Sequence, residues 1–193
     1  MKRILLATLF VACPALAADY QGLRLGLGSA MGMQAHGFDT MYPQWRIEAG
    51  YDLNRMFSVN AYYQNLSRWE TEEQPMPGDH WRAGGEIKGG RIGMELETGW
   101  TFNIEDGWGV KPYLALGFAD QIGHARAGYE HNQHGPEYRH SLDRNGITAA
   151  IGARIMPMNK FGAYIDARID SAAMDDKIIK HNPHATLTIG FKF

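Results

Sequence analysis

The chain closes on His184-Ala-Thr-Leu-Thr-Ile-Gly-Phe-Lys-Phe193, and the reading of this stretch decides the fold. Ala185, Leu187, Ile189, Phe191 and Phe193 fall on one side, and His184, Thr186, Thr188, Gly190 and Lys192 on the other. A period of two is that of a β-strand, whose successive side chains leave by opposite faces. The run also has about the 9–11 residues that a tilted strand needs to cross a bilayer, apolar toward lipid and polar toward a lumen.

Working back from the end, seven more runs alternate in the same way. Leu23, Leu25 and Leu27 alternate with Arg24, Gly26 and Gly28, and Trp45, Ile47, Ala49, Tyr51 and Leu53 with Arg46, Glu48, Gly50 and Asp52. Phe57 to Gln64 follows the same rule. Ile92, Met94, Leu96, Thr98, Trp100 and Phe102 then oppose Arg91, Gly93, Glu95, Glu97, Gly99 and Thr101. Tyr113 to Phe118, Ile147 to Ile155 and Phe161 to Asp170 complete the set. No stretch of comparable length keeps an apolar stripe at helical spacing. A soluble β-sandwich or lipocalin-like barrel would also alternate. Here, however, the charges all fall on one face, aromatics gather near the ends of the other, and short connections alternate with long ones. The fold expected is all-β: an eight-stranded antiparallel up-and-down transmembrane barrel with short periplasmic turns and longer extracellular loops.

The short connections are Asn54-Arg55-Met56, Asn103 to Gly109, and Pro157 to Lys160. Asn, Asp-Gly and Pro permit tight reversal there. The long connections are expected over 34–43, 66–88, 120–144 and 171–184, as loops.

Residues 1–17 read as a secretory signal peptide, with Lys2 and Arg3, an apolar stretch from Ile4 to Ala12, and a small-x-small site at Ala15-Leu16-Ala17. Cleavage there leaves an exported barrel from Ala18 to Phe193. Cys13, the single cysteine, lies inside this leader, so the mature chain has no thiol for a disulfide or for catalysis; the alternative, a lipidated Cys13, meets a poor flanking residue in Phe10. The formal charge of −2 gives no basic field for nucleic acid. A mean hydropathy of −0.35 suits a soluble protein, yet a polar lumen and long loops give that average too.

Eight strands enclose an interior only wide enough for side chains. The inward positions include Arg24, Arg46, Arg91, Lys111, Arg154, Arg168 and Lys192, against Glu48, Asp52, Glu95, Glu97, Asp166 and Asp170. Such charges are expected to pair and plug the barrel, because an unpaired buried charge costs several kcal/mol. A narrow ion path along the same network is the functional alternative. The inward glycines are expected to make room for the long Arg and Glu chains.

Tyr51-Asp-Leu-Asn-Arg-Met-Phe-Ser-Val59, a strand–turn–strand, and the terminal Gly190-Phe-Lys-Phe193 carry a resemblance. The mature chain resembles the eight-stranded outer-membrane barrel superfamily, which includes the OmpA transmembrane domain, OmpX/Ail proteins and accessory colonisation factors. The resemblance implies residence in a Gram-negative outer membrane, and assembly by the barrel assembly machinery through a closing strand whose terminal Phe, here Phe193, serves as the signal. It does not imply one activity, since members range from adhesins to lipid-modifying enzymes.

All eight histidines map to the expected extracellular end: His36, His80, His124, His131, His134, His140, His181 and His184. His131-Asn-Gln-His134, with His181 and His184 in the neighbouring loop, offers imidazoles for zinc, copper or nickel, although no tight ligand signature such as HExxH is present. Solvated loop histidines that gain charge near pH 6 are the plainer reading. A lipid A acylhydrolase or acyltransferase, another activity found on this fold, would use a histidine with a serine and an acid; His140, Ser141 and Asp143, or Glu137, form the one local cluster. Adjacent strand residues point to opposite faces, which works against a His140–Ser141 pair. Trp69 and Trp81 flank strand ends, where an interfacial anchor belongs. The reading is therefore a monomeric, cofactor-free surface barrel. Its partners are outer-membrane lipid, lipopolysaccharide and a host or envelope protein at the loops, with lipid A modification as the alternative.

Overall fold

A computed structural model describes residues 20–34, 37–38, 44–66, 68–76, 79–104, 107–131, 137–141, 143–158, 161–174 and 184–193. The leader expected over 1–17 lies outside them. Eight long strands form one antiparallel sheet: β1 (Gly22–Gln34), β2 (Gln44–Asp52), β3 (Phe57–Asn65), β4 (Asp79–Gly99), β5 (Trp108–His131), β6 (Arg144–Pro157), β7 (Gly162–Met174) and β8 (His184–Lys192). Each pairs with its neighbours in sequence, and β1 pairs with β8 through Arg24↔Lys192 to Gly32↔His184, so the sheet closes and has no edge within the barrel. The architecture is the eight-stranded up-and-down barrel that the alternation predicts, with every strand at its expected place.

Closure comes with a stagger. The pairs His184↔Asp170, Asp170↔Ala150, Ala150↔Ala115, Ala115↔Glu97, Glu97↔Ser58, Ser58↔Asp52 and Asp52↔Gly22 carry one hydrogen-bonded row from the long-loop end of β8 to the short-turn end of β1. One circuit thus shifts register by about ten residues, which tilts the strands as closure of a small barrel requires.

The two faces differ in kind. Outward stand Leu25, Leu27, Ile47, Met94, Leu114, Leu116, Ile151, Ile165, Leu187 and Ile189, all large and all exposed. Trp100, Phe102, Trp108, Phe161, Phe191 and Phe193 ring the short-turn end, while Trp45 and Tyr63, with centroids 5.1 Å apart, sit toward the other. Inward stand the charges. A soluble barrel reverses this arrangement; an apolar wall flanked by aromatic girdles is what hydrocarbon and headgroups select.

The short turns use the expected chemistry. Asn54 Oδ1 accepts from the amides of Met56 and Phe57 at 2.7 and 2.8 Å and closes the β2–β3 turn. Between β4 and β5 the ladder continues through Phe102–Asn103, paired with Val110 and Gly109, and turns at Gly107, whose φ of 84° suits glycine.

The long connections differ from the expectation of plain loops over 66–88 and 120–144. Arg68–Met76 pairs with β4 from Arg68↔Ile87 to Met76↔Asp79, β4 and β5 stay paired out to Trp81↔His131, and Glu137–Ser141 pairs with β5. A four-stranded sheet therefore rises from the long-loop end; the nine steps from Ile122 to His131 alone add about 30 Å along the strand. Beyond the bilayer neither face meets hydrocarbon, so nothing imposes apolar–polar alternation, and the sequence loses the signal by which strands are read.

Candidate functional site

The site with the most organised chemistry is the lumen. Arg24, Arg46, Glu48, Asp52, Arg91, Glu95, Glu97, Lys111, Arg154, Asp166, Arg168, Asp170 and Lys192 are all buried in it. They occupy inward positions on seven of the eight strands because alternation turns every second residue to the inside.

Toward the short-turn end the charges interlock around two carboxylates. Glu97 accepts from Arg154 Nη1 and Nη2 at 2.8 and 2.9 Å and from Arg24 Nη2 at 3.2 Å. Asp52 takes Arg24 Nε at 3.0 Å, the Ser58 hydroxyl at 2.8 Å and the Lys192 ammonium at 3.2 Å. Lys111 donates to Ser58 Oγ at 2.5 Å and so reaches Asp52 through it. Arg154 also pairs with Asp166, which accepts the Tyr113 hydroxyl at 2.8 Å.

Nearer the long-loop end, Arg168 grips Glu95 with both terminal nitrogens, each at 2.8 Å, and the Thr186 hydroxyl donates to Asp170 at 3.1 Å. Arg46 is held more loosely. Its nitrogens stand 3.5 Å from Glu48, 3.7 Å from Glu95 and 3.9 Å from Asp170, and its guanidinium stacks over the Tyr62 ring at 3.7 Å. Two of the pairs, Arg154–Glu97 and Arg168–Glu95, are bidentate, and low dielectric strengthens them. Physically the lumen is a crosslinked polar core: each carboxylate ties together strands that the sheet does not make neighbours.

Three tyrosines belong to this network and were not singled out from the sequence: Tyr62, Tyr113 and Tyr164, whose hydroxyl donates to Glu48 at 3.0 Å. Their rings lie over inward glycines, Tyr62 at Gly93, Tyr113 at Gly152, and Tyr164 at Gly26 and Gly190, where any Cβ would collide with them. Room for guanidinium is seen at Gly50, beside Arg24. The signal that could have found the tyrosines was present, since Tyr62, Tyr113 and Tyr164 share the inward parity of the charged residues on their strands.

The loop candidates are placed less tightly. Ser141 donates its hydroxyl to Asp143 Oδ2 at 2.9 Å, and the Gly123 amide donates to Asp143 Oδ1 at 3.2 Å. These two bonds hold the exposed Asp143 carboxyl below its ordinary range. Ser141 is thus engaged with an acid. His140 lies opposite Ala125 in the ladder and Ser141 opposite His124. His131 pairs with Trp81 at the far end of β5, a full 30 Å-scale ladder away from the barrel rim, while His184 begins β8 opposite Gly32 and Asp170. His134 and His181 lie outside the described residues. Among the described residues no three His, Cys, Asp or Glu side chains converge on a metal position.

Just past β8, the Phe193 amide donates to the Leu23 carbonyl at 2.8 Å, and its ring meets Phe161 at 5.1 Å. This end of β8 is therefore stitched to both neighbouring strands at the short-turn rim.

A closed antiparallel barrel of eight strands, greasy outside and ion-paired inside, defines the class of small outer-membrane barrels. The chain belongs to the outer membrane protein beta-barrel domain family, which matches residues 4–193, and its place is the bacterial outer membrane. Among curated protein sequences none matches it. Similar solved structures include the N-terminal β-barrel domain of Pseudomonas aeruginosa OprF, at 15% identity and a TM-score of 0.46 over 90% of this chain and 98% of that one. They also include Ail, the attachment invasion locus protein of Yersinia pestis, in complex with the heparin analogue sucrose octasulfate, at 16% and 0.49 over 90% and 97%. Neisserial surface protein A follows at 16% and 0.46 over 89% and 95%.

Proposed function

We propose that this chain is a non-enzymatic surface barrel: a rigid, plugged cylinder that carries a β-sheet out of the membrane to meet lipopolysaccharide, an envelope protein or a host surface. One observation carries the reading. Glu97, Asp52 and Glu95 each bind cations from other strands across the lumen, so the interior is spent on holding the wall together. The part free to make contacts is the projecting sheet of Arg68–Met76, the outer halves of β4 and β5, and Glu137–Ser141. Rigid strands position a binding surface better than loose loops do. In this reading the leader is removed after Ala17, the barrel assembly machinery takes up the terminal strand, and the folded protein is a monomer. The Ser141–Asp143 contact acts as a turn clasp.

Moving the segment 66–88 together with 120–144 onto an unrelated eight-stranded barrel tests this. Binding to whole-cell or lipopolysaccharide surfaces should move with the segments and stay behind when the lumen alone is transferred. Two companion measurements guard the alternatives. Lipid A from cells lacking and cells overproducing the protein should have the same acyl pattern by mass spectrometry, and planar bilayers should show no steady open channel. A gained or lost acyl chain, abolished by Ser141→Ala, would overturn the reading.

A further inference from the structure

Among the described residues the lumen holds seven buried cations and six buried carboxylates, and one of those cations has no described carboxylate to answer it. Arg24, Arg46, Arg154, Arg168 and Lys192 each have a carboxylate within 4.0 Å, and Lys111 reaches Asp52 through Ser58. Among the described residues, Arg91 has none. It is 6% exposed, and its Nε is buried without a hydrogen-bond acceptor. Its neighbours across the ladder are neutral amides, Gln64 on β3 and Gln121 on β5, both buried. A buried cation placed between amides costs several kcal/mol unless an anion answers it.

The surroundings suit an anion from outside. Arg91 is the outermost of the inward charges on β4, above Glu95 and Glu97. At the same end of the lumen His184 starts β8 and presents an Nδ1 that also lacks a partner. Asp170, its partner across the ladder, and Arg91 are both near enough for their charges to be felt at that imidazole. One layer deeper, the inward positions on β4, β5 and β6 are Gly93, Ala119 and Gly146, a strip with nothing larger than a methyl group. The Tyr62 ring lies on Gly93 and against Ala119. Of the deeper acids, Glu95 is taken by Arg168, and Asp170 by Thr186 with Arg46 and Arg168 close by, so their charge is answered from below.

We propose that the extracellular mouth of the lumen binds a small tetrahedral oxyanion, a phosphate or sulfate group, on Arg91, with the Gln121 amide and the His184 imidazole as further donors. A guanidinium presents a planar fork that matches two oxygens of such a group, and two neutral donors around it complete the shell. The group can arrive as a free ion or as the monoester of a surface glycolipid or glycan. The chemistry recognised is the same.

The experiment uses the full mature chain folded in micelles, titrated with inorganic phosphate and then with inorganic sulfate, and read by NMR at the Arg91 Nε–H and at the Gln121 and His184 amides. Saturable shifts at these groups are expected, and Arg91→Gln should weaken binding at least tenfold. Gln121→Glu, which keeps the arginine but supplies it with an internal carboxylate, should do the same while the barrel stays folded. Shifts that persist in both variants place the ion elsewhere and overturn the proposal. So does the lack of a saturable shift in the unaltered protein, which would mean that the chain already answers Arg91 with an acid of its own. Mixed micelles containing a glycolipid phosphomonoester separate the sources. If that lipid shifts the same groups and inorganic phosphate displaces it, the natural ligand class is the bound monoester; if only the free ions act, it is the free anion.

Discussion

Glu97 on β4 joins Arg154 on β6 to Arg24 on β1, three strands of which no two are neighbours in the sheet. The backbone ladder holds each strand to the next. This carboxylate holds opposite walls together, and it does so with both of its oxygens occupied.

Removing the charge at Glu97 should therefore hurt more than removing any single ladder bond. Glu97→Gln leaves Arg154 with Asp166 and Arg24 with Asp52, but strands the guanidinium nitrogens that now face an amide. Breaking a buried pair on one side costs about 3–5 kcal/mol. Urea unfolding of the refolded barrel in micelles should show a loss in that range with the m-value unchanged. A loss under ~1 kcal/mol would mean that water already fills this part of the lumen and screens the pair.

Two glycines give opposite substitution patterns for different reasons. At Gly117 an added Cβ meets the Met94 carbonyl oxygen and the Glu95 Cα, backbone atoms of the facing strand that cannot step aside. Gly107 has open space around it but a φ of 84°. Gly117→Ala should cost about 1–3 kcal/mol through overpacking, and Gly117→Asn should fail to fold. Gly107→Ala should cost ~1 kcal/mol through backbone strain, and Gly107→Asn should be nearly neutral because Asn tolerates the left-handed region. Thermal unfolding of the four variants separates the two cases, and equal behaviour of the two Asn variants would sink the distinction.

The barrel was legible in the sequence wherever the chain crosses hydrocarbon, and for one reason. There the outward face must be apolar and the inward face polar, so Leu187, Ile189 and Phe191 alternate with Thr188, Gly190 and Lys192 and the strand declares itself. Outside the bilayer that constraint lifts. Arg68–Met76 contains three glutamates and a proline, and Glu137–Ser141 is wholly polar or aromatic, so both read as loop although both are paired strands. The inward parity likewise located Arg24, Glu97 and Arg154. Which cation meets which carboxylate depends on the stagger around the closed sheet, and no single strand carries that. The tyrosines share that parity but carry no charge, and only the closed sheet brings their rings onto facing glycines.

The lipid-facing wall makes a depth-dependent forecast. Ile151 lies at the middle of β6 and faces outward at 59% exposure, whereas Phe161 sits at the short-turn rim just before β7. An arginine at the bilayer midplane of such a wall costs about 2–4 kcal/mol and near the interface ~0–1 kcal/mol. Ile151→Arg and Phe161→Arg, each measured against alanine at the same position by reversible folding into lipid vesicles, should fall in those two ranges. Equal costs would mean that the apolar belt is placed wrongly along the strands.

Phe193 combines a packing role with its position at the chain end, and the two can be pulled apart. Its ring meets Phe161 at 5.1 Å, while Phe161 in turn stacks on Phe191 at 5.7 Å, so Phe161→Ala and Phe193→Ala both remove the 5.1 Å ring contact. On packing alone each ring contact is worth about 0.5–1.5 kcal/mol, so purified Phe161→Ala, which loses two, should lose at least as much stability in micelles as Phe193→Ala, which loses one. The hydrogen bond that the Phe193 amide donates to the Leu23 carbonyl survives in both. If the assembly machinery reads the terminal aromatic, the variants part company in cells: Phe193→Ala should reach the outer membrane in a folded, heat-modifiable form several-fold less than Phe161→Ala does. Equal yields would reduce Phe193 to one member of the aromatic girdle, since a residue whose loss is explained by its ring contact needs no second role.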